Sequence, residues 1–279
     1  FISSNINVDI VNVATPNGMH ASDSIKVLQS SKNVLIEKPM ALTKQDAENI
    51  IKASIDKNKK VFVVMQNRYS PIINYVKNLI DNNNLGKIYF VNVNCFWNRD
   101  DNYFTSQDWH GKINQDGGVL YTQFSHFIDT IYWLFGDVKN IESKLLKFRE
   151  NKNIEFEDSG TVRLETIKGA LCVINFSISA FKKHFESSIS IIGEKGNIKI
   201  EGQYLDNLKI CDVENSVSID KYRRNIPTYY KEYENNQINH ALVMQNAIDV
   251  LKNNSKIKTN ALDGLKVTEI IETIYEKGK

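Results

Sequence analysis

Two hydrophobic rhythms, one after the other, limit what this chain can fold into. From residue 8 to 68, short β-rich runs alternate with amphipathic stretches, the pattern of a parallel sheet covered by helices. Residues 8–14 (VDIVNVA) predict a strand, residues 15–17 a Pro-containing turn, residues 21–30 a helix with Ile25 and Leu28 at helical spacing, and residues 33–36 the next strand. A second unit starts at a candidate N-cap, Thr43. It continues through a helix over 43–57, with Ala47, Ile50, Ile51 and Ser54 on one face, into a strand over 60–65. The strands end in Glu37–Lys38 and Gln66–Asn67–Arg68, and ligands of open parallel sheets bind outside such carboxyl ends.

Near Leu85–Gly86 the period becomes two and turns replace helices as connections. Strands are predicted over 87–97, 140–149, 159–166, 170–180, 187–192 and 197–200, with hairpin turns at Lys168–Gly169 and Glu194–Lys195–Gly196. One helix over 118–135 interrupts them, and helices over 237–252 and 261–277 close the chain. The fold class is therefore α/β: a parallel sheet covered by helices in residues 1–85, then an α+β domain in residues 86–279 with a large, mainly antiparallel sheet.

A length of 279 residues suits two such domains. The net charge of +2 comes with no block of either sign, which argues against a nucleic-acid or anionic-lipid footprint and leaves a small neutral or anionic substrate open. Cys95, Cys172 and Cys211 lie far apart, without CxxC pairing or histidines at ligand spacing. That pattern predicts neither a disulfide framework nor a metal site and suits a reducing cytoplasm. Apolar runs such as 61–65 are too short to span a bilayer. The chain opens on Phe1 and enters a buried strand almost at once, the layout expected of a piece of a longer protein.

Placed at helical intervals, Leu120, Phe124, Ile128, Ile131 and Phe135 make one stripe of the 118–135 helix, and Thr122, His126, Asp129 and Trp133 fall opposite. A solvated polar face is the bland reading, and Trp133 counts against it. The chemical reading sets an imidazole beside a hydroxyl and a carboxylate that could fix its tautomer. Lys38, held extended before Pro39, is either a surface charge or an ammonium aimed from the sheet crest to polarise an alcohol. Asn67 and Arg68 carry the same ambiguity. His20 follows Asn17 at a helix start, where free N–H groups could meet a ligand or Asn17 could cap the helix. Trp97, Arg99, Tyr103, Trp109 and His110 form an aromatic, donor-rich stretch suited to a ring-shaped polar ligand or to plugging a seam between domains. His184 and His240 are weaker candidates.

Ala14–Thr15–Pro16–Asn17…His20, Glu37–Lys38–Pro39, Gly117–Gly118…His126…Asp129 and Gly193–Glu194–Lys195–Gly196 occur in that order and spacing. On these residues the chain resembles the Gfo/Idh/MocA family of NAD(P)-dependent oxidoreductases over nearly its whole length. The resemblance implies that the parallel sheet is an incomplete NAD-binding Rossmann domain. The sequence contains no GxGxxG turn, so the chain would enter the family fold at about the fourth strand, with an open sheet edge and bare apolar faces that favour aggregation.

It further implies hydride transfer from a secondary alcohol carbon to NAD, with NADP left open. Lys38 and His126 would be the acid/base pair. Ala14, Thr15, Pro16, Asn17, His20, Glu37, Lys38, Asn67 and Arg68 would line the cofactor. Many members have Asp where this chain has Thr122, a departure that bears on any carboxylate relay.

A narrower similarity runs through Asn98–Arg99, Tyr103, Asp108–Trp109, Gly117–Gly118, Thr122–Gln123, His126 and the stretch Phe181–Gly196. It points to the branch that oxidises C3 of UDP-N-acetylglucosaminuronate in surface-polysaccharide synthesis, with Arg99, Tyr103, Trp109, His110, Thr122, Gln123 and His126 at the substrate. His110 and Phe124 depart from that branch. The implied assembly is a homodimer or homotetramer formed through the C-terminal sheet. The alternatives are a dehydrogenase of a free sugar or inositol, and a non-catalytic sugar-nucleotide-binding homologue.

Overall fold

The computed structural model describes residues 8–214, 218–222 and 235–278. Three short strands, β1 (Ile10–Val13), β2 (Asn33–Ile36) and β3 (Val61–Val63), form a parallel sheet in that order. Val34, Leu35 and Ile36 are buried, as is all of β3, because strands covered on both faces read as continuous apolar runs. The crossovers are α1 (His20–Gln29) and α2 (Lys44–Asp56). Val27, Leu28, Ala47 and Ile50 pack with Val34, Ile36, Val61 and Val63. Leu35 and Phe62 point the other way and meet Val243, Ala247 and Val250 of α7 (Asn235–Asn253). Thr43 caps α2 as expected: its Oγ1 accepts the Asp46 N–H at 3.1 Å and donates to Asp46 Oδ2 at 2.8 Å.

The outer edge of β3 is covered, because the Val63 N–H donates to the Thr259 carbonyl at 3.0 Å. The outer edge of β1 has no strand partner among the described residues. Its apolar side chains are at least partly buried. Val11 packs against one core cluster and Ile10 against the other.

An unforeseen helix, α3 (Pro71–Asp81), leads into the second sheet. Ser70 caps it, Pro71 occupies its first turn, and Ile73, Val76 and Leu79 are fully buried at helical spacing. The second sheet holds β4 (Ile88–Phe96), β5 (Val138–Leu146), β6 (Ser159–Thr166), β7 (Leu171–Ser177), β8 (Glu186–Gly193), β9 (Gly196–Glu201) and β10 (Asn207–Val213). Its order is β10-β9-β8-β4-β7-β6-β5, antiparallel throughout except for the parallel pair β4–β7.

Alternation along β4 buries Val91, Val93 and Cys95 and turns Asn92 and Asn94 outward. On that outer face Thr161 Oγ1, Asn175 and Asn94 form a cross-strand hydrogen-bond ladder. Strand β10 was not expected; it is a half-exposed edge with a register shift between Leu208 and Ile210.

The single helix expected over 118–135 is two: α5 (Val119–Thr122) and α6 (Ser125–Phe135). At the break the Phe124 N–H reaches back five residues to the Val119 carbonyl at 3.2 Å, a local widening of the helix. The apolar stripe survives, with Leu120, Phe124, Ile128, Ile131 and Phe135 all buried. The opposite side is not solvated: Thr122 and Asp129 are buried too. The last helix is α8 (Ala261–Lys277), entered through a reciprocal cap in which Asn260 Oδ1 takes the Asp263 N–H and Asp263 Oδ2 takes the Asn260 N–H. Among the described residues no helix is long and apolar enough to cross a membrane, and all three cysteines are free.

Candidate active site

The crest of the parallel sheet is built by turns that leave the strands together. Ala14 and Thr15 are exposed after β1, and the short turn Asn17–Met19 follows. Asn17 does not cap α1; its Nδ2 donates to the Asp116 carbonyl at 2.9 Å. Gly18 presses on the same loop, where a Cβ would lie 2.2 Å from the Asn114 carbonyl oxygen.

His20 is buried, with Nδ1 2.7 Å from the Pro39 carbonyl and Nε2 2.8 Å from the Thr15 carbonyl. Burial lowers its pKa, with the two carbonyls pulling the other way. His20 is thus a bracket between two crest turns, its one N–H shared between the two carbonyls according to tautomer. Pro16 is half-buried beside it.

After β2, Glu37 and Lys38 diverge. Glu37 Oε2 accepts the Lys38 N–H at 3.3 Å and Glu37 Oε1 pairs with His240 Nε2 of α7 at 3.1 Å. Burial opposes the charge on Glu37, but the His240 hydrogen bond and nearby positive charges hold the carboxyl below its ordinary value. The same contact raises His240. Lys38 Nζ donates to the Thr122 carbonyl at 2.6 Å. Burial lowers the Lys38 pKa, Glu37 and Asp116 oppose that, and Arg99 adds to it.

Lys38 and His126 line one cavity of about 180 Å³, together with Gln66, Asn67, Thr122, Gln123 and Phe127. Gln66 Nε2 donates to His126 Nε2 at 3.0 Å, which places the ring proton on Nδ1. Burial, then the charges of Lys38 and His240, push His126 well below 6.5, so the ring is neutral at physiological pH.

Asp129, expected to orient the imidazole one turn away, is taken instead by Arg68, with Nη2 to Oδ1 at 2.6 Å and Nε to Oδ1 at 3.0 Å. Arg68 Nη1 also reaches Asp263 Oδ1 at 3.1 Å, and the guanidinium lies 5.8 Å from the Trp133 ring. Both Arg68 and Asp129 are buried, so Arg68 cements three segments and, unlike Asn67, does not line the cavity.

Arg99 forms the outer wall. Its guanidinium is sandwiched between Trp97 (5.1 Å) and Tyr103 (5.0 Å), and its Nε donates to Gln123 Oε1 at 2.8 Å. It has no ion-pair partner among the described residues, and burial lowers its pKa. Tyr103 supports the wall by accepting from Gln123 Nε2 at 2.8 Å. His110 stacks on Tyr103 at 4.3 Å and Trp109 meets His110 edge-on at 4.2 Å. Trp109 and His110 are therefore placed behind Tyr103 and do not line the cavity expected to hold them.

Trp97, Gln203 and Tyr204 complete the lining, and His184 stacks on Trp97. Sequence reasoning missed Gln203 and Tyr204, which come from the β9–β10 connection, a hairpin whose second strand was not foreseen. Gln66 was visible only as the end of a strand.

A three-stranded parallel sheet joined to a large antiparallel one, with a lysine and an imidazole facing one cavity at the parallel crest, is the arrangement of a Rossmann-type oxidoreductase. Residues 2–65 match the NAD-binding Rossmann-fold model of the oxidoreductase family and residues 73–199 the Gfo/Idh/MocA C-terminal domain model. The chain belongs to the Gfo/Idh/MocA family.

It is 31% identical to the WlbA dehydrogenase of Bordetella pertussis, solved with NADH and UDP-GlcNAcA, over 98% of this chain and 77% of that one, with a TM-score of 0.88. It is 25% identical to an uncharacterized oxidoreductase of Synechocystis, sll0816, over 74% of this chain and 57% of that protein. It is 29% identical to the scyllo-inositol 2-dehydrogenase (NADP(+)) IolW of Bacillus subtilis over 52% of this chain and 39% of that protein. The chain thus spans about half the length of the curated relatives it matches.

The donor set fits the nicotinamide end of such a cofactor. Glu37, whose carboxylate is held by His240 and the Lys38 N–H, would be the acceptor for a ribose diol there, and Ala14 and Thr15 are exposed on the neighbouring turn.

Proposed function

We propose that this protein performs NAD-dependent oxidation of a secondary hydroxyl on a sugar, with C3 of UDP-N-acetylglucosaminuronate as the substrate position. The observation that carries the reading is the shared cavity of Lys38 and His126, with the imidazole kept neutral beside an ammonium. NAD, when bound, supplies the hydride acceptor and leaves as NADH. A substrate hydroxyl entering the cavity takes the place of the Gln66 amide on His126 Nε2. His126 then receives the hydroxyl proton as the carbonyl forms. Lys38, steadied by the Thr122 carbonyl, donates to the same oxygen and stabilises the negative charge it gains. Glu37 orients the cofactor ribose, and Thr122 serves through its backbone where other members carry a carboxylate.

The choice of a charged sugar is supported by the cavity wall. It carries the cations Lys38 and Arg99 and no carboxylate, so a uronate finds a partner that a neutral sugar leaves unpaired. The likeness to WlbA over nearly the whole chain supports the same choice. The polar outer face of the seven-stranded sheet suits a second copy of the chain, and free thiols and the lack of a spanning helix among the described residues suit the cytoplasm.

The test is an assay of NADH formation with UDP-N-acetylglucosaminuronate, glucose and inositol. Turnover only with the nucleotide uronate supports the reading. Turnover only with inositol assigns the chain to the chemistry of its inositol-oxidising relative, and binding without turnover makes it a sugar-nucleotide receptor.

A further inference from the structure

The turn that presents Thr122 to Lys38 is held by two residues from other parts of the chain. Helix α5 is a single turn, so its leading N–H groups need partners from elsewhere. The Val119 N–H donates to Glu157 Oε1 at 3.0 Å and the Leu120 N–H to the Tyr275 hydroxyl oxygen at 3.1 Å. Tyr275 in turn donates its O–H to the same Glu157 Oε1 at 2.5 Å. Glu157 precedes β6 and Tyr275 lies in the last turns of α8, so three remote segments meet at one oxygen. Glu157 is only 8% exposed and has no ion-pair partner among the described residues.

Residue 118 must be glycine for this to form. Its φ is +116°, and a Cβ there would stand 2.2 Å from the Tyr275 oxygen. At the other end of the turn, the Thr122 N–H donates to the Gly118 carbonyl at 3.1 Å, and the Thr122 carbonyl receives Lys38.

We propose that Glu157 and Tyr275 are a positioning dyad that fixes α5 and, through the Thr122 carbonyl, the place of the Lys38 ammonium. The positioning is independent of the reaction; its effect on turnover rests on the dehydrogenase reading above.

The dyad also titrates. Burial pushes the Glu157 carboxyl up to about 7, opposed by the Tyr275 hydroxyl and the Val119 N–H and reinforced by neighbouring Asp158. Tyr121 of α5 stacks on Tyr275 at 5.6 Å, and burial keeps the Tyr275 phenol un-ionised. Ionised Glu157 makes charge-assisted bonds to both donors, roughly twice as strong as neutral ones, so the clamp slackens as pH falls through about 7.

The experiment is amide hydrogen exchange at Val119 and Leu120 in the full chain, alongside turnover of NAD with UDP-N-acetylglucosaminuronate. Glu157→Ala and Tyr275→Phe lower protection at both amides by about tenfold, whereas Glu157→Gln, which keeps a neutral acceptor oxygen, loses less and matches the wild type with Glu157 protonated. Wild-type protection, corrected for intrinsic exchange, falls below about pH 7 and that of Glu157→Gln does not. In turnover, Glu157→Ala and Tyr275→Phe lower kcat about tenfold with little change in KM for NAD. Glu157→Gln recovers kcat to the level of the wild type with Glu157 protonated and abolishes the ionisation near pH 7. Wild-type exchange rates in both Glu157→Ala and Tyr275→Phe overturn the proposal. If no variant and no wild-type sample turns over, the dehydrogenase reading fails while the exchange data still decide the dyad.

Discussion

Lys38 Nζ donates to the backbone carbonyl of Thr122 at 2.6 Å, tying the crest of the parallel sheet to the helical turn just ahead of His126. A backbone carbonyl cannot take the proton, so the lysine is steadied without being neutralised. Its buried setting lowers its pKa all the same. Lys38→Ala is expected to lower kcat by about 10²–10⁴ while NADH affinity, read by nicotinamide fluorescence, stays near that of the wild type. A parallel loss of NADH binding would instead make Lys38 a cofactor ligand.

Arg99 is held flat between two aromatic rings and tethered to Gln123, so its guanidinium is presented in one orientation. Arg99→Gln is expected to raise KM for UDP-N-acetylglucosaminuronate by about 10–100-fold and to leave KM for UDP-N-acetylglucosamine nearly unchanged. Equal effects on both sugars would remove Arg99 from carboxylate recognition.

Arg68 predicts a different phenotype. Its ion pairs with Asp129 and Asp263 are buried, and removing the cation strands a carboxylate at Asp129. Arg68→Met is expected to cost about 3–5 kcal/mol of unfolding free energy in urea, with ligand affinity unchanged in the molecules that remain folded. Wild-type stability with lost cofactor binding would reverse that assignment.

The pH dependence of stability has a definite sign. Burial holds His20 and His126 below 6.5, so the unfolded chain binds more protons than the folded one between their folded values and 6.5. Their contribution makes stability rise with pH through that window and level off above it. His240, raised by Glu37, acts in the opposite sense, contributing stability below 6.5 that is lost as pH rises through its folded value. His126→Gln removes one rising contribution. Relative to wild type, the variant should gain up to about 1.4 kcal/mol of unfolding free energy per pH unit on going below 6.5, read from urea melts. Parallel curves for the two proteins would mean that His126 is not buried neutral.

Local pattern carried much of this molecule. The 3.6-residue and two-residue periods mark which segments are helix and which are strand, and α8 falls over the range its pattern predicts, 261–277. Short Pro- and Asn-bounded segments hid α3, although the Ser70–Pro71 start signal and the Ile73, Val76, Leu79 spacing were present to be read. At the site, residue type singled out Lys38 and His126, but type does not say who claims whom. Asp129 sits at the right helical spacing for His126, yet Arg68, from a turn 61 residues earlier, takes it with two nitrogens. Spacing along one helix cannot register a competitor from another element. The same holds for His20, whose two carbonyl partners are fixed by turns that meet only in the folded chain, and for Glu157 and Tyr275, which look like ordinary surface residues in one dimension.

A double-mutant cycle in hydride transfer tests the convergence of Lys38 and His126 on one oxygen most directly. Turnover would be compared for wild type, Lys38→Met, His126→Gln and the double variant under saturating NAD and UDP-N-acetylglucosaminuronate. If both groups act on the same hydroxyl, the double variant should fall no more than about tenfold below the slower single variant, because the second loss removes little once the first has broken the proton path. Fully multiplicative losses would show two groups working independently and would contradict the account.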